Sequence, residues 1–184
     1  MELAFSVFSP AQLFGYAAFA FGIACFLQKS DRRFKVLLSI ECLSCVIHFW
    51  LLGNPTAAGV SAVSVARSLV SMHTRSARVA FAFMLCSAGM GVWLGSGWLS
   101  VLPVAASCVG TSALFLFSGI RMRMLMLVGS ALWLSNNIVS GSIGGTLLEL
   151  MILSANSWTI FRLRRDKHIA AREAALDSRA AMLS

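Results

Sequence analysis

The feature that limits this chain most is its succession of apolar runs of membrane-crossing length. A helix needs ~20 mainly apolar residues to cross the hydrocarbon core of a bilayer. Such runs are laid down at residues 10–28, 36–53, 56–73, 79–95, 99–117, 120–140 and 144–164. In a chain of 184 residues they leave little room for a water-soluble domain. The charged residues make up only 12% of the chain, whereas soluble domains carry about 25%. The runs are continuously apolar rather than alternating, which argues for helices and against a barrel. The segment Met1 to Ser6 lacks the basic stretch of a secretory signal, so the first run is read as a retained span.

A formal charge of +8 would suit nucleic acid if it formed one patch. It does not. Lys29, Arg32, Arg33 and Lys35 fall between the first two runs, while Arg67, Arg75 and Arg78 fall around the end of the third. Arg121 and Arg123 open the sixth, and Arg162, Arg164, Arg165, Lys167, Arg172 and Arg179 follow the seventh. All therefore lie on one side of a seven-span chain or just inside it. The opposite connections, residues 53–56, 95–98 and 140–145, carry no charge. The positive-inside rule then puts the N-terminus outside and the tail in the cytoplasm. Contact with anionic headgroups accounts for the charge, so no nucleic-acid partner is expected.

The five cysteines, Cys25, Cys42, Cys45, Cys86 and Cys108, all fall inside apolar runs, which does not suit an extracellular disulfide framework. Cys42 and Cys45 form a C-x-x-C, but metal ligation needs further ligands. Small packing residues are the expected role, and no metal or cofactor is predicted.

Sliding the chain against itself by 88 positions aligns Gly22 with Gly110, Ser30 with Ser118, Arg33 with Arg121, Lys35 with Arg123, Leu37 with Leu125 and Gly53 with Gly141. Spans one to three thus correspond to spans five to seven, with the fourth between them. Both triplets begin on the same side, so they are parallel repeats about an axis along the membrane normal. The predicted fold is all-α: a first three-helix repeat at 10–73, a linker helix at 79–95, a second repeat at 99–164 and a cytoplasmic tail at 165–184.

Asp31 to Lys35, His48 to Gly53, Arg67 to Leu69, Thr74 to Ser76, and Gly141 to Thr146 followed by Glu149 together resemble the YgjV-type bacterial inner-membrane proteins. The resemblance runs from about residue 10 to residue 165. That family in turn resembles, distantly, the three-helix-repeat transporters of the SWEET, PQ-loop and PnuC kinds. It implies a 3+1+3 architecture with a substrate path between triplets, but it names no substrate. His48, Asn137, Glu149 and Asn156 match the family pattern. Glu41 stands where the pattern has no acid, and Asn136 stands where it has His.

Ionisable groups within a span are costly and usually face a cavity, a neighbour helix or an interface. Glu41 and His48 are two helical turns apart and share one stripe with Ser44 and Cys45. Glu149 and Asn156 repeat that spacing in the seventh run. The repeat offset places Asn136 opposite His48, near Asn137, with Trp133 or Trp158 offering a flat apolar face. His48, Trp133, Asn136, Asn137, Glu149 and Asn156 are therefore the candidate substrate-binding residues. Glu41 and Arg67, both toward the cytoplasmic side, are the candidate gate or ion pair. Trp50, Trp93 and Trp98 read as interfacial anchors. Pro103, inside the fifth run, is a candidate kink.

Carboxamides both donate and accept hydrogen bonds, which suits a small polar solute such as a sugar, nucleoside or vitamin-like ring. The alternative is a membrane interaction or assembly protein whose polar groups only tie helices together. No H-E-x-x-H, phosphate loop or nucleophile elbow is present, so an enzyme is not expected. Partners are limited to the bilayer and one small solute, with homo-oligomerisation left open. The tail reads as a short surface helix or a disordered end.

Overall fold

In the computed structural model, residues 7–26, 31–74, 76–95, 97–117 and 119–183 are described. Lys29, Ser30, Arg75 and Ser118 lie outside them, as do the side chains of Arg172 and Arg179. Among the described residues the regular elements are all helices: α1 (Pro10–Phe26), α2 (Asp31–Leu51), α3 (Pro55–Val70), α4 (Ala77–Leu94), a 3-10 turn at Trp98–Ser100, α5 (Val101–Leu116), α6 (Gly119–Val139) and α7 (Ile143–Leu183). By length and composition, α4 and the stretch Trp98–Leu116 are apolar and long enough to cross a membrane, and Pro10–Cys25 and Val36–Leu51 are shorter apolar helices.

Helix starts follow local chemistry. The Ser9 hydroxyl accepts from the Gln12 amide at 3.3 Å, and Pro10 opens α1 where no backbone donor is needed. Asn54 caps α3 by accepting from the Ala57 amide at 3.0 Å, ahead of Pro55. Ser142 does the same for α7, accepting from the Gly145 amide at 3.1 Å. Each of these last two caps follows a glycine with positive φ, Gly53 at 75° and Gly141 at 68°. Both glycines sit in the left-handed region that disfavours a Cβ.

Caps, turns and helix ends thus recur at the 88-residue offset seen in the sequence. Both α2 and α6 span 21 residues, and their ends coincide under that offset, as do the starts of α3 and α7. The neighbours recur too. α2 lies between α1 and α3, and α6 lies between α5 and α7. Two further interfaces, α3 with α5 and α7 with α1, close these six helices into a ring. α4 stands apart, resting on α3 and α5.

Three expectations change. α2 begins at Asp31, so the basic segment before residue 36 is its first turn rather than a loop. Pro103 is the third residue of α5, where its missing donor costs no intrahelical bond. The tail is neither short nor separate. α7 runs unbroken for 41 residues, because residues 165–183 contain no Gly or Pro and are rich in Ala, Arg and Leu.

Polarity runs opposite to that of a water-soluble domain. Gln12, His48, Asn136, Asn137, Asn156 and many Ser and Thr side chains are buried, while Phe81, Leu85, Val92 and Trp93 of α4 and many other large apolar groups lie outside. Close approach of α1 and α7 depends on glycine: a Cβ on Gly144 would collide with the backbone of Gly15. Gly89, by contrast, faces open space. Gly144→Ala is therefore expected to destabilise the protein by about 1–3 kcal/mol, and Gly89→Ala to leave it unchanged or slightly more stable. Tryptophan-fluorescence melts of the detergent-solubilised variants check the contrast.

Candidate functional site

A cavity of about 180 Å³ occupies the middle of the six-helix ring. Its walls come from α1, α2, α3, α5, α6 and α7, and α4 adds nothing. Several lining residues are pairs under the 88-residue offset: Ala18 with Ala106, Gly22 with Gly110, and Leu38 with Met126. The chemistry is less symmetric than the walls. Cys42 faces Ser130 under the offset, Cys45 faces Trp133, Phe49 faces Asn137, and Ser61 faces Glu149. A common frame thus presents different groups from its two halves.

Of the candidate binding residues, His48, Trp133, Asn137 and Glu149 line the cavity, and the candidate pair Glu41 and Arg67 lines it too. Trp133 stacks on Phe49, with ring centroids 5.8 Å apart and planes 20° apart. Asn137 is 3% exposed, and its Oδ1 has no hydrogen-bond partner. Glu149 shares a hydrogen bond with the Ser130 hydroxyl, and its Oε2 is buried without a partner.

Asn136 and Asn156 are placed elsewhere. Asn156 Oδ1 accepts from the Arg123 guanidinium at 3.0 Å, tying α7 to α6. Asn136 Oδ1 accepts from the Asn54 carboxamide at 3.1 Å, and the same Asn54 nitrogen donates to Ser140 at 2.8 Å. Trp158 lies outside, 63% exposed beside Phe161. Periodicity assigns these three to the same depth range as the cavity, but helix rotation turns them away.

His48 and Asn136 do not meet across the axis. Each instead bonds to the helix cap of the other half. His48 is 1% exposed; its Nδ1 is 2.6 Å from the Ala11 carbonyl and its Nε2 is 2.6 Å from the Ser142 hydroxyl. A carbonyl only accepts, so Nδ1 donates there and Nε2 takes the serine hydrogen. Asn136 makes the corresponding bond to Asn54, the cap of α3. The two bonds are exchanged by the offset, since Asn54 corresponds to Ser142 and His48 to Asn136. Gln12 reinforces one side: its nitrogen donates to the Gly141 carbonyl at 2.6 Å and its oxygen accepts from the Ile143 amide at 3.1 Å.

The candidate ion pair is not joined directly. Glu41 accepts from the thiols of Cys42 at 3.3 Å and Cys45 at 3.2 Å. Arg67 Nη1 reaches across to α5, donating to the Ser107 carbonyl at 3.2 Å and to Thr111 Oγ1 at 2.9 Å. Among the described residues the ion pair within 4.0 Å is Arg165 with Asp166. Glu41 and Arg67 remain within electrostatic reach of each other. Both thiols of the C-x-x-C thus donate to Glu41.

Sequence reasoning missed Gln12, Asn54, Ser130 and Ser142. A signal for the two caps was present: each directly follows one of the offset-paired glycines. Ser142→Ala leaves His48 Nε2 and the Gly145 amide without partners, and an expected loss of about 1–3 kcal/mol follows. Ser154, which bonds only to Leu150 of its own helix on the exposed face, is the control; Ser154→Ala is expected to shift stability by less than about 0.5 kcal/mol. Thermal unfolding of both variants measures the difference.

The chain resembles known proteins over most of its length. A family profile described as bacterial inner membrane protein, Imp-YgjV, matches residues 9–167. The inner membrane protein YgjV of Escherichia coli (strain K12) is 36% identical over 155 residues, covering 84% of this chain and 85% of that protein. No solved structure matches the chain significantly. Family profile and relative agree, over the same residues that build the ring and its cavity, that this chain belongs to the YgjV family of bacterial inner-membrane proteins.

Proposed function

We propose that the chain is a multi-pass transporter or facilitator that moves one small polar metabolite through the space between two three-helix repeats. In this reading α1 to α3 and α5 to α7 are the repeats and α4 is the linker, a 3+1+3 plan. The outer-facing end carries the two glycine turns, and the basic ends of α2, α3, α6 and α7 face the cytoplasm, with the N-terminus outside. The apolar exterior and polar interior support a bilayer as the surrounding medium, because hydrocarbon gives exposed polar groups no partners.

The observation that carries the reading is the central cavity. It sits where the two halves meet, and it contains buried polar atoms that no protein group satisfies: Arg67 Nε, Asn137 Oδ1 and Glu149 Oε2. An unpaired buried polar group costs about 1–3 kcal/mol, and these three belong to one cavity, where a solute would supply their partners. A solute of about the size of a single ring fills this volume, as benzene fills a cavity of ~150 Å³. Carboxamide and carboxylate fix its orientation, and Trp133 covers one face.

The second reading, an interaction protein without a transported solute, draws on Asn136 and Asn156, which tie helices together. Flux through proteoliposomes separates the two. Glu149→Gln and Asn137→Ala are expected to reduce transport of the responsive solute at least about tenfold while unfolding within about 0.5 kcal/mol of wild type. Asn156→Ala is expected to lower stability instead, by about 1 kcal/mol. A folded wild-type protein that neither moves nor binds any member of a broad metabolite panel would leave the interaction reading standing.

A further inference from the structure

We infer that Glu149 is a shared site for a proton and a small organic cation, so that the solute of this cavity is an amine or quaternary ammonium taken up in exchange for a proton. The inference rests on the transport reading above and names its substrate class. It comes from comparing the two carboxylates in the cavity.

Of the seven carboxylates in the chain, Glu41 and Glu149 alone fall between residues 36 and 164. Both line the cavity, yet they are provided for differently. Glu41 has two thiol donors and Arg67 within reach. Glu149 has one hydroxyl, from Ser130, and a buried Oε2 with nothing opposite it. The charge that acts on Glu149 is Glu41, of the same sign. Arg67 acts electrostatically on Glu41, which α2 carries. Its Nη1 is also committed to α5.

The remaining groups around Glu149 do not supply a countercharge. α2 presents Glu41, Cys42, Cys45 and His48, α1 presents Cys25, and α3 presents Arg67. The walls from α5 and α6 carry no ionisable side chain. Both nitrogens of His48 are taken by Ala11 and Ser142. A lone carboxylate in such surroundings must hold a proton or face a cation.

The second free group has the same polarity. Asn137 Oδ1 is an acceptor without a donor and belongs to the same cavity. An ammonium placed between these two open acceptors, on neighbouring helices α6 and α7, would partner both, while the open donor of the same cavity, Arg67 Nε, belongs to α3. Trp133, stacked on Phe49, adds an aromatic face of the kind that attracts cations. The cavity volume limits the solute to about six to ten non-hydrogen atoms. On binding, protonated Glu149 gives its proton to solvent and its carboxylate pairs with the cation. One positive charge replaces another.

The test is calorimetric binding of tetraethylammonium to the purified full-length chain in detergent, repeated in buffers of different ionisation heat. Tetraethylammonium carries no titrating group, so any proton released comes from the protein. Wild type is expected to bind it with release of about one proton and with affinity that tightens by up to about tenfold per pH unit across the exchange range. Glu149→Gln is expected to lose at least about tenfold in affinity together with the proton release, and Glu149→Asp to retain the proton release. 2-Phenylethylamine should bind and its neutral analogue 2-phenylethanol should not. Cation binding without proton release, or equal binding of amine and alcohol with Glu149→Gln unchanged, would overturn the inference and leave transport itself intact. If Glu149→Gln does not fold, the proton count on wild type decides. Flux of neutral solutes alone, with no cation bound, also overturns it, whereas absence of all flux removes the transport reading and not the exchange at Glu149.

Discussion

Two crossed hydrogen bonds hold the halves of this protein in register: His48 of α2 to Ser142 at the start of α7, and Asn54 at the start of α3 to Asn136 of α6. Each joins a side chain in the middle helix of one half to the cap of the last helix in the other. The caps in turn depend on Gly53 and Gly141, whose positive φ turns the chain sharply enough to set Asn54 and Ser142 ahead of the next helix. In an apolar surround such ties count for more than apolar contact, because hydrocarbon offers helices no hydrophobic incentive to associate. The helix order, the ring and the space within it follow from that arrangement.

The ring leaves its polar side chains facing inward and its bulky apolar ones outward. Most inward groups find partners on a neighbouring helix, as Arg67 does on α5 and Asn156 on α6. Buried atoms without a partner remain on Arg67, Ser68, Asn136, Asn137, Glu149 and Asn156, and of these Asn137 and Glu149 are the ones that offer open acceptors to the cavity. These two come from α6 and α7, whereas the corresponding residues of the other half are Phe49 and Ser61. The two sets of helices thus share their ends and turns at the 88-residue offset and differ in the groups they present to the cavity. The E. coli relative aligns over 84% of the chain, the greater part of the six-helix ring included.

Much of this was legible in the chain. The repeat offset, the paired glycines and the separation of Glu41 from His48 can be read from the chain alone, and six of the eight residues singled out there line one cavity. The direct pairing of Glu41 with Arg67 and the approach of Asn136 to His48 could not be judged that way. Spacing gives depth along a helix and a shared face, but not the rotation of that face toward a particular neighbour. Asn136 and Asn137 differ by one residue, or ~100° around the helix. That turn sends one to Asn54 and the other into the cavity.

By itself, then, the sequence determined the helical class, the membrane setting and the 88-residue offset between like segments, because these depend on hydrophobic run length, basic residue placement and constant spacing. Those are properties of local order along the chain. Only the tertiary structure decided that Gln12, Asn54 and Ser142 tie distant helices together, that α7 continues unbroken past residue 164, and that one oxygen of Glu149 is left without a protein partner at the cavity wall. Whether a buried polar atom is satisfied depends on groups contributed by distant helices, within about 3 Å and in the right direction. Local order carries no record of that.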